Sequence, residues 1–424
     1  MIIQPSKRTE SVQEYYFSRK LKEIEAMNAE RAAAGKEPVI NLGIGSPDGM
    51  PPLPAIEALC DAAGQPGNHA YQSYVGIPQL RQAFAGWYSR WYGVSLDPAA
   101  EIQPLVGSKE GILLISLAFL DKGDKVLVPD PGYPTYSSAS RLVEAETVTY
   151  DLREDNGWQP DFDALEKMDL SGVKIMWTNY PNMPTGAPAT EELYARLVDF
   201  GLRHNILICN DNPYSFILND APLSILSQPH AKECCLELNS LSKAHNMAGW
   251  RIGMVAADRE VIAQILKVKS QMDSGMFKPL QVAAVKALEQ GPEWFAKLND
   301  EYRRRRVLAG KIFDLLGAEY DHHSSGMFLW GRIGEAVNSG DPRLPYGLTS
   351  HDIAAAGCSL QKPTGLSADR SRGQRVSDRV LQEAGVFITP GFIFGKNGEN
   401  YIRISLCAKP EVLEKAAEKI KAIL

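Results

Sequence analysis

From Ile102 to Ala257 short apolar runs alternate with segments of helical period, and few folds accept that order. IQPLVG leads into a helix predicted from Lys109 to about Leu120. KVLVP (Lys125–Pro129), Glu146–Tyr150 and Lys174–Thr178 read as buried strands. Thr190–Asn205 has helical spacing and feeds ILICND (Ile206–Asp211), and CCLELNS and RIGMVAA continue the pattern. Strands alternating with helices predict an α/β domain with a largely parallel sheet, because parallel neighbours need a crossover that is usually a helix. Ligands in such sheets settle at the carboxyl ends of strands. The residues that follow each run are therefore the ones to read for chemistry.

The flanks read differently. Glu14–Ala34 predicts a helix ended by Gly35, and Pro292–Leu316 a long connecting helix. Strand signals at Met327–Gly331, Val386–Thr389 and Tyr401–Leu406 then mix with helices, the last starting near Pro410. The expected organisation is an N-terminal arm (1–47) joining a small domain, a large domain (48–316), and a small C-terminal α+β domain (317–424). Residues 335–375, rich in Gly, Pro and Ser, are expected to form a surface excursion.

Composition narrows the function. Lys and Arg number 45 against 51 Asp and Glu, a net charge of −6, so nucleic acid is repelled overall. The run Arg303–Arg306 is the one basic cluster and is read as a solvated helix face. Six cysteines with no C-x-x-C pair, and histidines without ligand spacing, argue against a disulfide scaffold or a metal site. The opening residues lack an apolar signal core, and GILLISLAFL is about half of the ~20 residues a membrane helix needs. A cytoplasmic protein in a reducing compartment is expected.

Five segments carry chemistry. In SLSKAHNMAGWRIG (Ser240–Gly253), Lys243 follows a buried strand between Ser240 and Ser242, with Arg251 eight residues on. A half-buried lysine near another cation can lose its proton and form a Schiff base; a solvated loop lysine is the plain alternative. NYPNMPTG (Asn179–Gly186) is a Pro- and Gly-stiffened loop holding Asn182. In NDNPYSF, Asp211 closes a buried strand three residues before Tyr214; taken alone it reads first as a helix-capping or turn aspartate. VGSKEG places Ser108 and Lys109 at a helix start, where free N–H groups bind anions. DPGYPTY follows with Tyr133, otherwise a core tyrosine. GENYIRISLC puts Arg403 on a strand, and its planar fork suits a carboxylate.

In order and spacing, from about Phe17 to Leu424, these segments resemble the pyridoxal-phosphate-dependent aminotransferases of fold type I, the class I/II family. NMAGWRIG, MDSGMFKPLQ and NLGIGSPD look nearest the branch with LL-diaminopimelate and alanine aminotransferases. The resemblance implies an α/β fold type I PLP-transferase: a large domain with a mostly parallel mixed sheet flanked by helices, plus a smaller α+β domain from both chain ends. It implies pyridoxal 5'-phosphate, with Lys243 as Schiff-base lysine and proton shuttle, and Asp211 on the ring nitrogen. It implies Asn182 and Tyr214 on the phenolic oxygen and Tyr133 stacked on the ring. Ser108, Lys109, Ser240, Ser242 and Arg251 would hold the phosphate, and Gly45, Asn182 and Arg403 the substrate. Tyr71 would reach the phosphate of the neighbouring subunit, which implies a homodimer with shared active sites. The implied reaction is ping-pong transfer from an L-amino acid to a 2-oxo acid, with diaminopimelate and glutamate–pyruvate specificities both open. A carbon–sulfur β-lyase using the same cofactor is the alternative. A DNA-binding regulator is disfavoured by the short N-terminal extension and the acidic charge.

Overall fold

The structure, a computed structural model, describes residues 2–334 and 370–424. The expected excursion therefore lies, up to residue 369, outside the described residues. In chain order the strands are β1 (Ile40–Asn41), β2 (Ile102–Leu105), β3 (Lys125–Asp130), β4 (Glu146–Asp151), β5 (Val173–Thr178) and β6 (Leu207–Asp211). They continue with β7 (Cys235–Ser240), β8 (Gly253–Ala257), β9 (Ala318–Tyr320), β10 (Phe328–Ile333), β11 (Val386–Phe387), β12 (Thr389–Pro390) and β13 (Tyr401–Ser405).

Two compact units are present. One comprises Met1–Gln13, Ser46–Met183 and Ala187–Asn299; the other comprises Glu14–Gly45, Pro184–Gly186 and Asp300–Leu424. Residues 1–13 thus cluster with the larger unit, and the last segment of the smaller one begins at Asp300, inside the helix Pro292–Leu315.

The larger unit is built on a seven-stranded sheet in the order β2-β8-β7-β6-β5-β3-β4. β8 is antiparallel to both neighbours, and the remaining pairs are parallel. β2, β7 and β8 are buried at every position, as strands covered on both faces must be. Their apolar side chains pack with those of the helix Ser108–Phe119 in one core that includes Leu105, Ile112, Trp177, Leu236 and Val255. The helix Glu191–His204 shows why such crossovers are legible. Thr190 caps its start by accepting from the Leu193 N–H, two glutamates occupy the first turn, and Asn205 ends it at φ 53°.

The smaller unit holds the four-stranded antiparallel sheet β12-β13-β10-β9 and the parallel pair β1-β11. The four-arginine run does not form one solvated face, because consecutive residues on a helix point about 100° apart. Arg303 and Arg304 are exposed. Arg305 is buried, paired to Glu301 at 2.9 Å and donating to the Leu406 carbonyl. Arg306 donates to the Ser324 carbonyl at 3.0 Å.

Candidate active site

Because β8 runs against the other strands of its sheet, its amino end and their carboxyl ends share one edge. Gly107 and Ser108 follow β2, Tyr133 follows β3, and Asn179 to Asn182 follow β5. Asp211 ends β6 with Tyr214 just beyond, Ser242 and Lys243 leave β7, and Arg251 precedes β8. Of the larger unit's residues singled out in the sequence, this edge gathers all but Tyr71.

Asp211 is buried. Its Oδ2 accepts from the Tyr136 hydroxyl at 3.0 Å, while its equally buried Oδ1 has no hydrogen-bond partner. Burial raises its carboxyl to about 7; the Tyr136 hydrogen bond and the Lys243 charge pull down, and Glu237 pushes up. Tyr136 is itself fixed by stacking on Trp177, the ring centroids 4.9 Å apart. Asn179 ties the asparagine loop to the end of β6: its Nδ2 donates to the Asp211 main-chain carbonyl and its Oδ1 accepts from the Met183 N–H at 2.8 Å. Asn182, also buried, donates from Nδ2 to the Asn179 carbonyl at 3.1 Å. Tyr136 and Asn179 were not singled out by sequence; the stiffened loop and DPGYPTY were the only signals pointing near them.

A second feature is an anion cup. Gly107 turns the chain at φ 81° into the helix that opens at Ser108, one residue earlier than expected. A Cβ at Gly107 would overlap the Arg251 guanidinium, and one at Gly253 would crowd the Ser108 N–H. Both glycines are thus needed for close approach. Arg251 holds a left-handed backbone at φ 57°, a strained conformation for a side chain of its size that tends to mark functional sites. Partial burial and, secondly, the Arg251 charge lower the Lys109 ammonium. Two cations, a helix start and the linked Ser240 and Ser242 hydroxyls (2.8 Å apart) are a combination that could hold a phosphate.

Lys243 is half-buried. Its loop is pinned just beyond it: Trp294 Nε1 donates to the Ala244 carbonyl at 2.8 Å, and Asn246 Nδ2 to the Met50 carbonyl at 3.1 Å. A buried carboxyl oxygen open to an N–H donor, a lysine within its electrostatic reach, and a phosphate cup on the same edge fit pyridoxal phosphate. Tyr71 stands apart, 90% exposed. Among the described residues no cluster of His, Cys, Asp and Glu could hold a metal, and no helix is long and apolar enough to cross a membrane.

In the smaller unit Arg403 is buried on β13, not on a surface strand. Its Nη2 donates to the Gly43 carbonyl at 2.8 Å, which also accepts from Thr389 at 3.1 Å. Its guanidinium lies 3.9 Å from the Phe328 ring centroid and 4.6 Å from that of Phe394. A Cβ at Gly45 would strike the Phe328 ring, so the NLGIG loop is glycine-dependent where it passes this arginine.

Residues 37–420 match the model of the family "Aminotransferase class I and II". The LL-diaminopimelate aminotransferase of Aquifex aeolicus is 39% identical over 94% of this chain and 95% of its own. That of Dehalococcoides mccartyi is 37% identical over 98% of this chain and 97% of its own. Substrate-bound BacF from Bacillus subtilis superposes with a TM-score of 0.84 at 32% identity, covering 100% of this chain and 98% of that one. The chain belongs to the class I and II aminotransferase family and is a pyridoxal-phosphate-dependent transaminase of fold type I.

Proposed function

We propose that this transaminase takes LL-diaminopimelate, or a donor of that class, and passes its amino group to a 2-oxo acid such as 2-oxoglutarate. The near-full-length likeness to two enzymes named for that substrate carries the proposal. Family membership favours transfer over the β-lyase reading. The test is a panel of amino donors with each oxo-acid acceptor. Diaminopimelate is expected to give the highest kcat/KM, with turnover dependent on the acceptor. A higher value for glutamate or alanine would overturn the donor assignment. Pyruvate and ammonia released without an acceptor would overturn transfer itself.

Bound pyridoxal phosphate supplies an electron sink for the negative charge that develops at the substrate Cα. Lys243 Nζ would hold it covalently and, as a neutral amine, would take and return the Cα proton as general base. Asp211, with its open Oδ1, would accept the ring N–H and keep that proton in place by its opposite charge. Asn182 and Tyr214 would donate to the phenolic oxygen, and Tyr133 would stack on the ring. Ser108, the Lys109 backbone, Ser240, Ser242 and Arg251 would hold the phosphate. Arg403 would take the substrate carboxylate with its fork, and the Gly45 main chain and Asn182 would also contact the substrate. Lysine at 403 keeps the charge but loses the bidentate geometry. Arg403→Lys is expected to raise KM by roughly 10- to 100-fold, as for a lost ~1.5–3 kcal/mol charged hydrogen bond. Steady-state kinetics with KM unchanged would remove Arg403 from the substrate site.

Two copies of the chain are proposed to share these sites. Tyr71 projects into solvent, and Met50, Leu53, Tyr74, Met272 and Phe277 of the same unit are also exposed. Its loop rests on the 272–277 segment, where a Cβ at Gly275 would strike the Gln72 carbonyl. A partner covering these side chains would place Tyr71 at the phosphate of the other subunit.

A further inference from the structure

The strands β5, β6 and β7 run parallel, so their starts share the edge of the sheet opposite the active site. A cavity of about 350 Å³ opens there, its lining including Phe119, Lys174, Gly201, Leu202, Glu233 and Cys234. The charged members are already paired: Lys174 with Asp124 at 2.7 Å and Glu233 with His230 at 2.7 Å. The nucleophile among them is Cys234.

Cys234 ends the short helix Ala231–Cys234, and Cys235 opens β7. Neighbours within one strand point to opposite faces. This junction instead brings the two sulfurs to 3.7 Å from each other, and both residues are buried. The helix Glu191–His204 packs close because Gly201 lacks a side chain; a Cβ there would come within 3.1 Å of the Cys234 sulfur. The Cys234 S–H donates to the Val198 carbonyl at 3.5 Å, which leaves the Cys235 S–H to donate to Cys234. That bond lowers the Cys234 thiol and, with burial, raises Cys235. The cavity-side sulfur is therefore the first to become a thiolate. Cys209 does not join them. It pairs with Leu236 while Cys235 pairs with Ile208, so it lies on the other face of the sheet.

This geometry suits a shared ligand better than a bond between the sulfurs. Adjacent Cα atoms lie about 3.8 Å apart across a trans peptide, short of the roughly 4.4–6.8 Å of ordinary disulfides. Two bonds of about 2.3 Å, the length of a zinc–thiolate bond, span the present 3.7 Å with a bend at the centre. Zinc itself needs four ligands, and among the described residues no group of three or more His, Cys, Asp and Glu could supply them. The site calls for a soft centre content with few ligands.

We propose that Cys234 and Cys235 form a two-thiol site that captures a thiophilic centre of the trivalent-arsenical class, entering from the cavity. Each thiol gives up its proton, and each of two arsenic–oxygen bonds is replaced by an arsenic–sulfur bond. An arsonous acid, R–As(OH)2, thus releases two waters, and no electrons are transferred. The site is independent of the active-site reading.

The probe is phenylarsine oxide, added to the folded holoenzyme in excess glutathione, with the adduct read by intact and peptide mass spectrometry. A monothiol strips arsenic held by one sulfur but not a chelate, whose second bond is intramolecular. Wild type is expected to retain one adduct on the Cys234–Cys235 peptide, as is Cys60→Ser, which removes an exposed thiol. Cys234→Ala and Cys235→Ala, each checked for wild-type turnover, are expected to bind at least about a hundredfold more weakly. No adduct on native wild type, or capture only after unfolding in guanidinium, would overturn the site whatever the variants do. Undiminished retention by both alanine variants would place the adduct elsewhere and overturn it equally.

Discussion

Replacing Lys243 with alanine is expected to abolish turnover while leaving the fold intact. Two contributions vanish together. One is the covalent anchor, and the other is the general base, itself worth roughly a hundred- to ten-thousand-fold. Lys243 is half-buried and its loop is held by the Ala244 and Asn246 hydrogen bonds rather than by its own side chain alone. The melting temperature is therefore expected to move by only a few degrees, about 1 kcal/mol. Single-turnover assays with added methylamine separate the roles: a small amine that restores the Cα proton transfer identifies the lost group as a base. Arginine at 243 should not rescue, because its guanidinium stays protonated. Turnover of Lys243→Ala within tenfold of wild type would end the assignment.

The fold was legible where burial made the pattern simple. β8 is buried throughout and stands out as an unbroken apolar run, whereas β2 and β7 are equally buried but carry Gln103, Glu237, Asn239 and Ser240 among their apolar residues. Element ends shifted by one residue where a cap decides them, as at Gly107, whose positive φ starts the next helix at once. The active-site edge was legible because its side chains sit next to the chain features that place them, at the ends of strands. What escaped was support from a distance. Tyr136 reaches Asp211 across 75 positions, and Gly43 meets Arg403 across 360. No local pattern encodes such pairs. Glu237 left a local signal, a charged residue inside a fully buried strand, but its partners Tyr88, Ser224 and Asn210 come from elsewhere in the chain. The arginine run misled for a related reason: Arg305 is buried partly through a carbonyl acceptor, Leu406, that lies 101 positions away.

Asp211→Asn is expected to lower kcat/KM by roughly a hundred- to ten-thousand-fold, the ~3–5 kcal/mol typical of breaking a buried charge pair. It also makes a prediction for the cofactor-free protein, where no chemistry intervenes. The folded carboxyl sits near 7, raised from an ordinary 3.8 by burial. Between those values the folded chain holds a proton that the unfolded chain has released. Stability therefore falls as pH rises through this window and is level above it. A raise of that size corresponds to about 4 kcal/mol from this one group. Ordinary carboxylates of the opposite kind, such as the Lys125-paired Asp169, work in the other direction below pH 4, so the raw melting curve mixes several titrations. The difference between wild type and Asp211→Asn isolates the one that matters. Asparagine cannot ionise, so the variant should gain on wild type steadily from about pH 4 to about pH 7. Saturating pyridoxal phosphate should shrink that gap, because a ring N–H on Oδ1 offsets the burial of the charge. A flat difference across the window would mean that Asp211 ionises normally in the folded chain and that its carboxyl is not shut away from solvent.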